Sequence, residues 1–373
     1  MASTLAPSTT PAPHVRRAVR AVAGASLGAL VLTGCTVLDD RGPRAETGQP
    51  GSTRSSGTVV LVTHDSFALD EALVEAFEDE TGLTLEQRAP GDGGALVNQL
   101  ILTKDSPLGD VVFGIDTTFA SRAIEEGVLD PYTSPNAGPD VEALAVDDQG
   151  YLSAVDVGDV CLNIDHEWFA EEGLEEPTSL SDLTDPAYAD LVVTTNPATS
   201  SPGLAFLLAT VAEFGEDGWE QYWADLSANG LKVVNGWSDA YYVDFSGPSS
   251  EGDRPIALSY ASSPPYEVAE GAEEAPTSAM LDTCFRQVEY AGVLAGAANP
   301  EGAQQVVDWL LSPEVQADIP ENMYVYPADS SVELPAAWEQ FAPLPDDPYT
   351  LDPAVITENR EAWIQAWTDT VIG

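Results

Sequence analysis

The sequence predicts an α/β chain of two lobes, each a mainly parallel sheet flanked by helices. Three observations lead there. From residue 59 onward, short apolar β-branched runs alternate with stretches of helical spacing, the pattern of a parallel sheet covered by helices. A length of 373 residues is too great for one ordinary core and suits two lobes or one large domain. Two extended runs, residues 151–164 and 284–290, stand where the chain would cross to a second lobe and return. Residues 58–157 and 287–373 are therefore expected to form the first lobe, and residues 158–286 the second.

Taken in order, the chain begins with Arg16, Arg17 and Arg20, an apolar run over residues 21–32, and the tetrapeptide Leu32-Thr33-Gly34-Cys35. A charged start, a short apolar core and small residues before a cleavage point predict a secretory signal over residues 1–34. The Leu-Thr-Gly-Cys ending resembles the bacterial lipoprotein box, which implies cleavage before Cys35, a lipid on its sulfur, and a chain tethered to the outer face of the cell membrane. Residues 35–57, rich in Gly, Pro, Ser, Thr and charge, read as the flexible tether.

The first lobe opens with a strand over 59–63, a helix over 69–77, a strand over 83–87, a helix over 95–102, a strand over 110–113 and a helix over 117–126. Ligands of such sheets bind beyond the carboxyl ends of the strands. There the sequence places His64-Asp65-Ser66-Phe67, Gly91-Asp92-Gly93-Gly94 and Gly114-Ile115-Asp116-Thr117. Each carboxylate is also an ordinary helix cap; three at one sheet edge tip the balance toward a site that prefers positive charge.

Residues 151–164 read as extended and broken at Gly158, 177–186 as loop, and 191–195 as a strand. Ala198-Thr199-Ser200-Ser201-Pro202-Gly203 then runs into an apolar helix, so its amides are expected to stand unpaired at a helix start with a positive dipole. Trp219, Tyr222 and Trp223 have the spacing of a buried helical stripe. Strands over 231–234 and 256–260 lead into two segments that place Trp237, Tyr241, Tyr260 and Tyr266 in loops or at helix starts, with a Gly- and acid-rich excursion over 245–254 between them. Helices over 301–311 and 313–319, an irregular stretch over 321–327 and an amphipathic helix over 359–370 complete the chain.

Composition excludes several functions. With 13 basic against 62 acidic residues and a net charge of −49, nucleic acid and anionic membrane surfaces are poor partners. Acids scattered along the whole chain read first as a solvated surface and only second as a taste for cations. After Cys35 the chain holds only His64 and His166, its lysines are Lys104 and Lys232, and it contains no zinc-protease or phosphate-loop motif. No metal or cofactor is expected. Gly236-Trp237-Ser238-Asp239-Ala240 imitates a nucleophile elbow, but a hydrolase needs a His after the Ser and none follows Ser238. Cys161 and Cys284, both in strand-like runs outside the membrane, most simply pair as a disulfide; no His stands at metal-ligand spacing from either.

A tethered two-lobed chain with a lined crevice and no reactive centre fits a solute receptor. Asp65-Ser66-Phe67, Ser200-Ser201-Pro202-Gly203-Leu204, Gly236-Trp237-Ser238-Asp239-Ala240-Tyr241, Leu258-Ser259-Tyr260-Ala261-Ser262-Ser263-Pro264 with Tyr266, the stretch from Ile319-Pro320 to Tyr326-Pro327, and Ala362-Trp363-Ile364-Gln365-Ala366-Trp367 occur in one order. In that order they resemble thiamine-binding proteins of bacterial ABC importers. The resemblance implies a type II periplasmic-binding-protein fold, a monomer whose hinged lobes close over thiamine or its phosphates and deliver them to a permease and its ATPase. It further implies that Asp92 and Gly93 contact ligand from the first lobe, Ser200 and Ser201 hold a phosphate end, and Trp237 lines the pocket. Tyr260, Ala261, Ser262 and Ser263 supply a further wall, with Tyr266 beside it. Where the family has aromatic residues, this chain has His64 before the Asp65 block and Tyr324 in place of a Trp. A thiazolium cation wants a carboxylate and π faces, and a phosphate wants helix-end amides, which agrees with the residues themselves. The alternative on the same fold is a ferric-ion receptor using Tyr241, Tyr242 and His64, and a polyamine receptor follows it.

Overall fold

The computed structural model describes residues 57–373. The signal segment 1–34, Cys35 and all but the last residue of the tether lie outside the described residues.

The strands are β1 (Gly57–Val62), β2 (Leu83–Arg88), β3 (Val111–Asp116), β4 (Leu129–Asp130), β5 (Ser153–Asp165), β6 (Val192–Thr195), β7 (Lys232–Val234), β8 (Ile256–Tyr260), β9 (Thr277–Ala279), β10 (Phe285–Leu294) and β11 (Tyr326–Pro327). Their order is β2-β1-β3-β10-β5-β8-β6-β7, with β4 on β10 and β9 and β11 on β5. At one end β1 pairs with β2 and β3 in parallel, and at the other β6 pairs with β7 and β8 in parallel. The pairings between these two groups, β3 to β10, β10 to β5 and β5 to β8, are antiparallel. The first half of β5 pairs with β10 and its residues 160–164 with β8, while the later part of β10 pairs with β3. These two strands carry the chain between the lobes, and the fold is the two-lobed type II arrangement.

Strand runs such as Val-Val-Phe-Gly-Ile-Asp in β3 are buried throughout, as expected for a parallel sheet covered on both faces. Helices start where a side-chain oxygen replaces the missing acceptor. Asp70 caps Glu71–Thr81, Asp92 caps Gly93–Leu102, and Ser200 caps Ser201–Phe214 with Pro202 in its first turn. The first of these ends at Gly82, whose φ of 73° closes the last turn without Cβ strain. Trp219, Tyr222 and Trp223 are buried, as their spacing requires. The C-terminal helix Pro353–Val371 sets Trp367 edge-on to Trp223 at 5.5 Å and Arg360 over the Phe119 ring, so it touches elements of both lobes.

Three local expectations change. β5 runs unbroken through Gly158, because that glycine leaves space for a neighbouring ring: a Cβ there would lie 2.9 Å from Tyr260 Cδ1. The stretch expected to be irregular after residue 321 contains β11, paired with β5 at Val157 and Asp156. His166–Glu172, not expected from periodicity, is a helix capped by Asp165. Cys161 and Cys284 are joined by a disulfide between β5 and the start of β10.

Candidate functional site

A cleft of about 720 Å³, its open mouth included, lies between the lobes. Its lining brings together His64, Asp92, Gly93, Ser201, Trp237, Tyr260, Ser263, Tyr266 and Tyr324 from the sequence reading. Four other expected residues stand behind the lining or outside it. Ser200 is buried as the helix cap, its hydroxyl donating to Thr195 Oγ1 at 2.8 Å. Ala261 packs on the disulfide, Ser262 supports the loop of Tyr324, and Asp65 is exposed. Asp116 is buried and spends one carboxylate oxygen on the Thr118 and Phe119 amides and the Thr118 hydroxyl, so it is first a local cap.

Asp92 is the point where the lobes meet. Its Oδ1 accepts from the Gly93 amide and, at 3.1 Å, from the Ser201 amide; its Oδ2 accepts from the Trp237 amide at 2.8 Å. The helix-start amide expected to stand unpaired at Ser201 is thus occupied by a carboxylate from the opposite lobe. The physical reason is that a desolvated anion finds its best donors at a helix N-terminus. Burial pushes the Asp92 carboxyl up to about 6, and the Trp237, Ser201 and Gly93 amides pull the other way. Gly93 permits the approach, since a Cβ there would lie 2.1 Å from Ser201 Oγ. Ser201 lines the cleft, and its hydroxyl is buried with no hydrogen-bond partner among the described residues.

Aromatic rings form the opposite wall. Trp237 stacks on Tyr241 at 5.2 Å and meets Tyr242 edge-on at 5.1 Å. Tyr242 meets Tyr266 at 6.0 Å, and Tyr266 meets Tyr324 at 5.0 Å, which carries the row around the mouth to the first lobe. Trp237 is fixed by its indole N–H, which donates to Ser259 Oγ at 2.9 Å, and Ser259 is held in turn by Ser263 Oγ at 2.7 Å. Tyr324 has φ of 53°, a left-handed conformation uncommon for an aromatic residue. Its carbonyl accepts from Ser262 Oγ at 2.6 Å, which holds it there.

The floor carries His64 and Glu289. His64 Nδ1 accepts from the Ser66 amide at 3.2 Å, which places the imidazole proton on Nε2. That Nε2 is buried without a hydrogen-bond partner and lies 3.7 Å from Glu289 Oε1. Burial lowers the imidazole to about 4, so the ring is neutral at physiological pH and the contact is not an ion pair. Gly114 gives the ring its space: a Cβ there would meet His64 Cδ2 at 2.4 Å.

Tyr241 and Tyr242 both line the cleft. Tyr241 is buried between Trp237 and Phe245, with its ring at 84° to that of Tyr242. Burial pushes both phenols up, and Glu267 adds to this. No group of three or more His, Cys, Asp or Glu side chains placed to hold a metal occurs among the described residues. The sequence reading did not single out Glu289, Asn322 or Met323 from the lining, or Ser259 behind it. An acid between Val288 and Tyr290 inside the β10 strand run was the available signal for Glu289.

Residues 106–263 match the model of the bacterial extracellular solute-binding protein family. The thiamine-binding periplasmic protein of Escherichia coli strain K12 is 30% identical over 84% of this chain and 93% of its own length. That of Brucella suis is 29% identical, covering 84% and 92%. A solved periplasmic thiamin binding protein superposes with a TM-score of 0.74 at 28% identity, covering 86% of this chain and 98% of that one. Iron-bound HitA from Pseudomonas aeruginosa shares the fold at a TM-score of 0.65 and 23% identity, covering 84% and 99%. The chain belongs to the family of thiamine-binding periplasmic proteins within the bacterial extracellular solute-binding proteins.

Proposed function

We propose that this chain is an extracytoplasmic receptor that binds thiamine and its phosphate esters in the interlobe cleft and delivers them to an ABC import permease. The observation that carries the reading is Trp237: its ring forms part of an aromatic row, and its amide holds the Asp92 carboxylate at 2.8 Å. One residue thereby joins π faces to a negative charge, the combination a flat organic cation requires, and a desolvated cation over such a face gains up to about 2 kcal/mol.

In this reading Trp237, Tyr260, Tyr266 and Tyr324 receive the rings of the ligand. Asp92 and Glu289 balance its charge, and the free Ser201 hydroxyl beside Gly93 meets the oxyanion tail of an ester. Ser200, Ala261 and Ser262 act from behind the lining. The lobes comprise residues 58–157 with 287–373, and 158–286, and they move about β5 and β10. A lipid on Cys35 tethers the receptor, which works as a monomer. No catalysis is assigned. Ser238 Oγ lies 3.2 Å from Ser66 Oγ and has no basic partner, an arrangement suited to holding the lobes together.

Titrating the purified protein with thiamine, its mono- and diphosphate, spermidine and ferric citrate while following tryptophan emission tests the reading. Saturable quenching by thiamine compounds is expected. Quenching by spermidine alone, or a visible phenolate band with iron and no response to thiamine, would sink it.

A further inference from the structure

The thiamine reading leaves the buried carboxyl of Asp156 without a role. β10 and β5 pair Glu289 with Asp156, where the register shifts by one residue. Glu289 forms part of the cleft floor and is 6% exposed; Asp156 lies behind it and is fully buried. Neither carboxylate oxygen of Asp156 receives a hydrogen bond from any N–H or O–H of the described residues.

Among the described residues no Lys or Arg pairs with either carboxylate. Around Glu289 stand His64 from the end of β1, Asp116 from β3, Asp92 from the facing helix start, Asp156 from β5 and Tyr260 from β8. His64 is neutral, and its unpartnered Nε2 is buried in the floor of the same cleft. The basic side chains near the crossover strands are engaged elsewhere: Arg286 pairs with Asp159, and Arg360 lies over Phe119.

We propose that Glu289 is the specificity-determining counter-charge for the cationic ring of the ligand, and that seating this ring expels a proton that Glu289 shares with Asp156. Two carboxylates in contact in a dry site cannot both be charged, so the empty pair holds one proton between them. Burial and the neighbouring acids raise both groups, which agrees with that state. A fixed positive charge in the cleft supplies what the surroundings lack and stabilises the doubly ionised pair. The proton leaves to solvent, and charge balances. By linkage, affinity for the cation rises with pH. Asp156 acts only through Glu289 and is a positioning residue.

The inference rests on the thiamine reading, and one experiment separates the two. Thiamine is titrated calorimetrically into the purified protein at neutral pH in phosphate and in Tris, whose ionisation heats differ, and again across the acid range. Wild type is expected to bind with a buffer-dependent heat that reports proton release, and with affinity that climbs with pH by up to about tenfold per unit for one full proton. Glu289→Gln is expected to lose about 30-fold or more in affinity and to abolish the release. Asp156→Asn, which supplies an amide donor to an already ionised Glu289, is expected to keep affinity within a few-fold while also abolishing the release. Normal binding with buffer-independent heat overturns the proposal alone, as does release in Glu289→Gln equal to wild type, which would move the proton to Asp92. Absence of thiamine binding in wild type overturns the reading beneath it.

Discussion

The two walls of the cleft are built differently. On the second lobe, Trp237 is held by Ser259 and Ser263 from its own lobe, so its position survives if the lobes part. On the first lobe, Asp92 takes its shape from the Ser201 and Trp237 amides of the opposite lobe, so its environment exists only when the lobes are together. The aromatic wall is thus a preformed surface and the acidic side a clasp. Ring recognition and closure can be broken separately.

The largest effect is expected from Asp92→Ala. It strands the buried Ser201 and Trp237 amides, at about 1–3 kcal/mol for each unsatisfied donor. Thiamine affinity should fall about 100-fold or more, and small-angle scattering should show a more open molecule even with ligand. Asp92→Asn isolates the charge. Burial raises the folded carboxyl from an ordinary 3.8 to about 6, so the folded protein holds this proton more tightly than the unfolded chain. The Asp92 contribution to stability is therefore greatest below about 4 and is lost as pH rises through about 6. Unfolding midpoints measured across that window should fall more steeply in wild type than in Asp92→Asn.

Trp237→Ala attacks the preformed wall. A loss of about 10- to 30-fold in affinity is expected, with closure on scattering unchanged, because the Trp237 backbone amide that Asp92 uses remains. Equal opening in Asp92→Ala and Trp237→Ala would erase the distinction between wall and clasp.

Ser262→Ala probes the hold on Tyr324. The lost hydrogen bond should cost about 1 kcal/mol in affinity or stability, measured together by titration and thermal melting. Ser238→Ala is the smallest change. Losing its contact with Ser66 should alter affinity by about twofold or less, as befits a half-buried pair of neutral hydroxyls at 3.2 Å.

Much of this was legible in the chain because it is local. The strand over residues 256–260 begins and ends as β8 does, and Ser200-Ser201-Pro202-Gly203 announces a helix through a cap and a Pro in the first turn. The aromatic wall was legible too, since Trp237 comes just after one strand and Tyr260 ends another, where a crevice must lie. What escaped depends on partners distant in sequence. That Asp92 fills the Ser201 amide joins residues 109 positions apart, and no local pattern encodes it. Glu289 and Asp156 read as ordinary strand residues until β10 and β5 are set side by side. Their signal was energetic: a carboxylate at a buried strand position is costly without a partner.

The most direct test of the central claim is an isothermal titration of thiamine into the purified protein, repeated with Trp237→Ala and Asp92→Ala. Wild type should give a single-site isotherm with a Kd of about 1 μM or tighter, weakened in both variants and more in the second. A flat trace with thiamine and both phosphate esters, from protein that melts cooperatively, would contradict it.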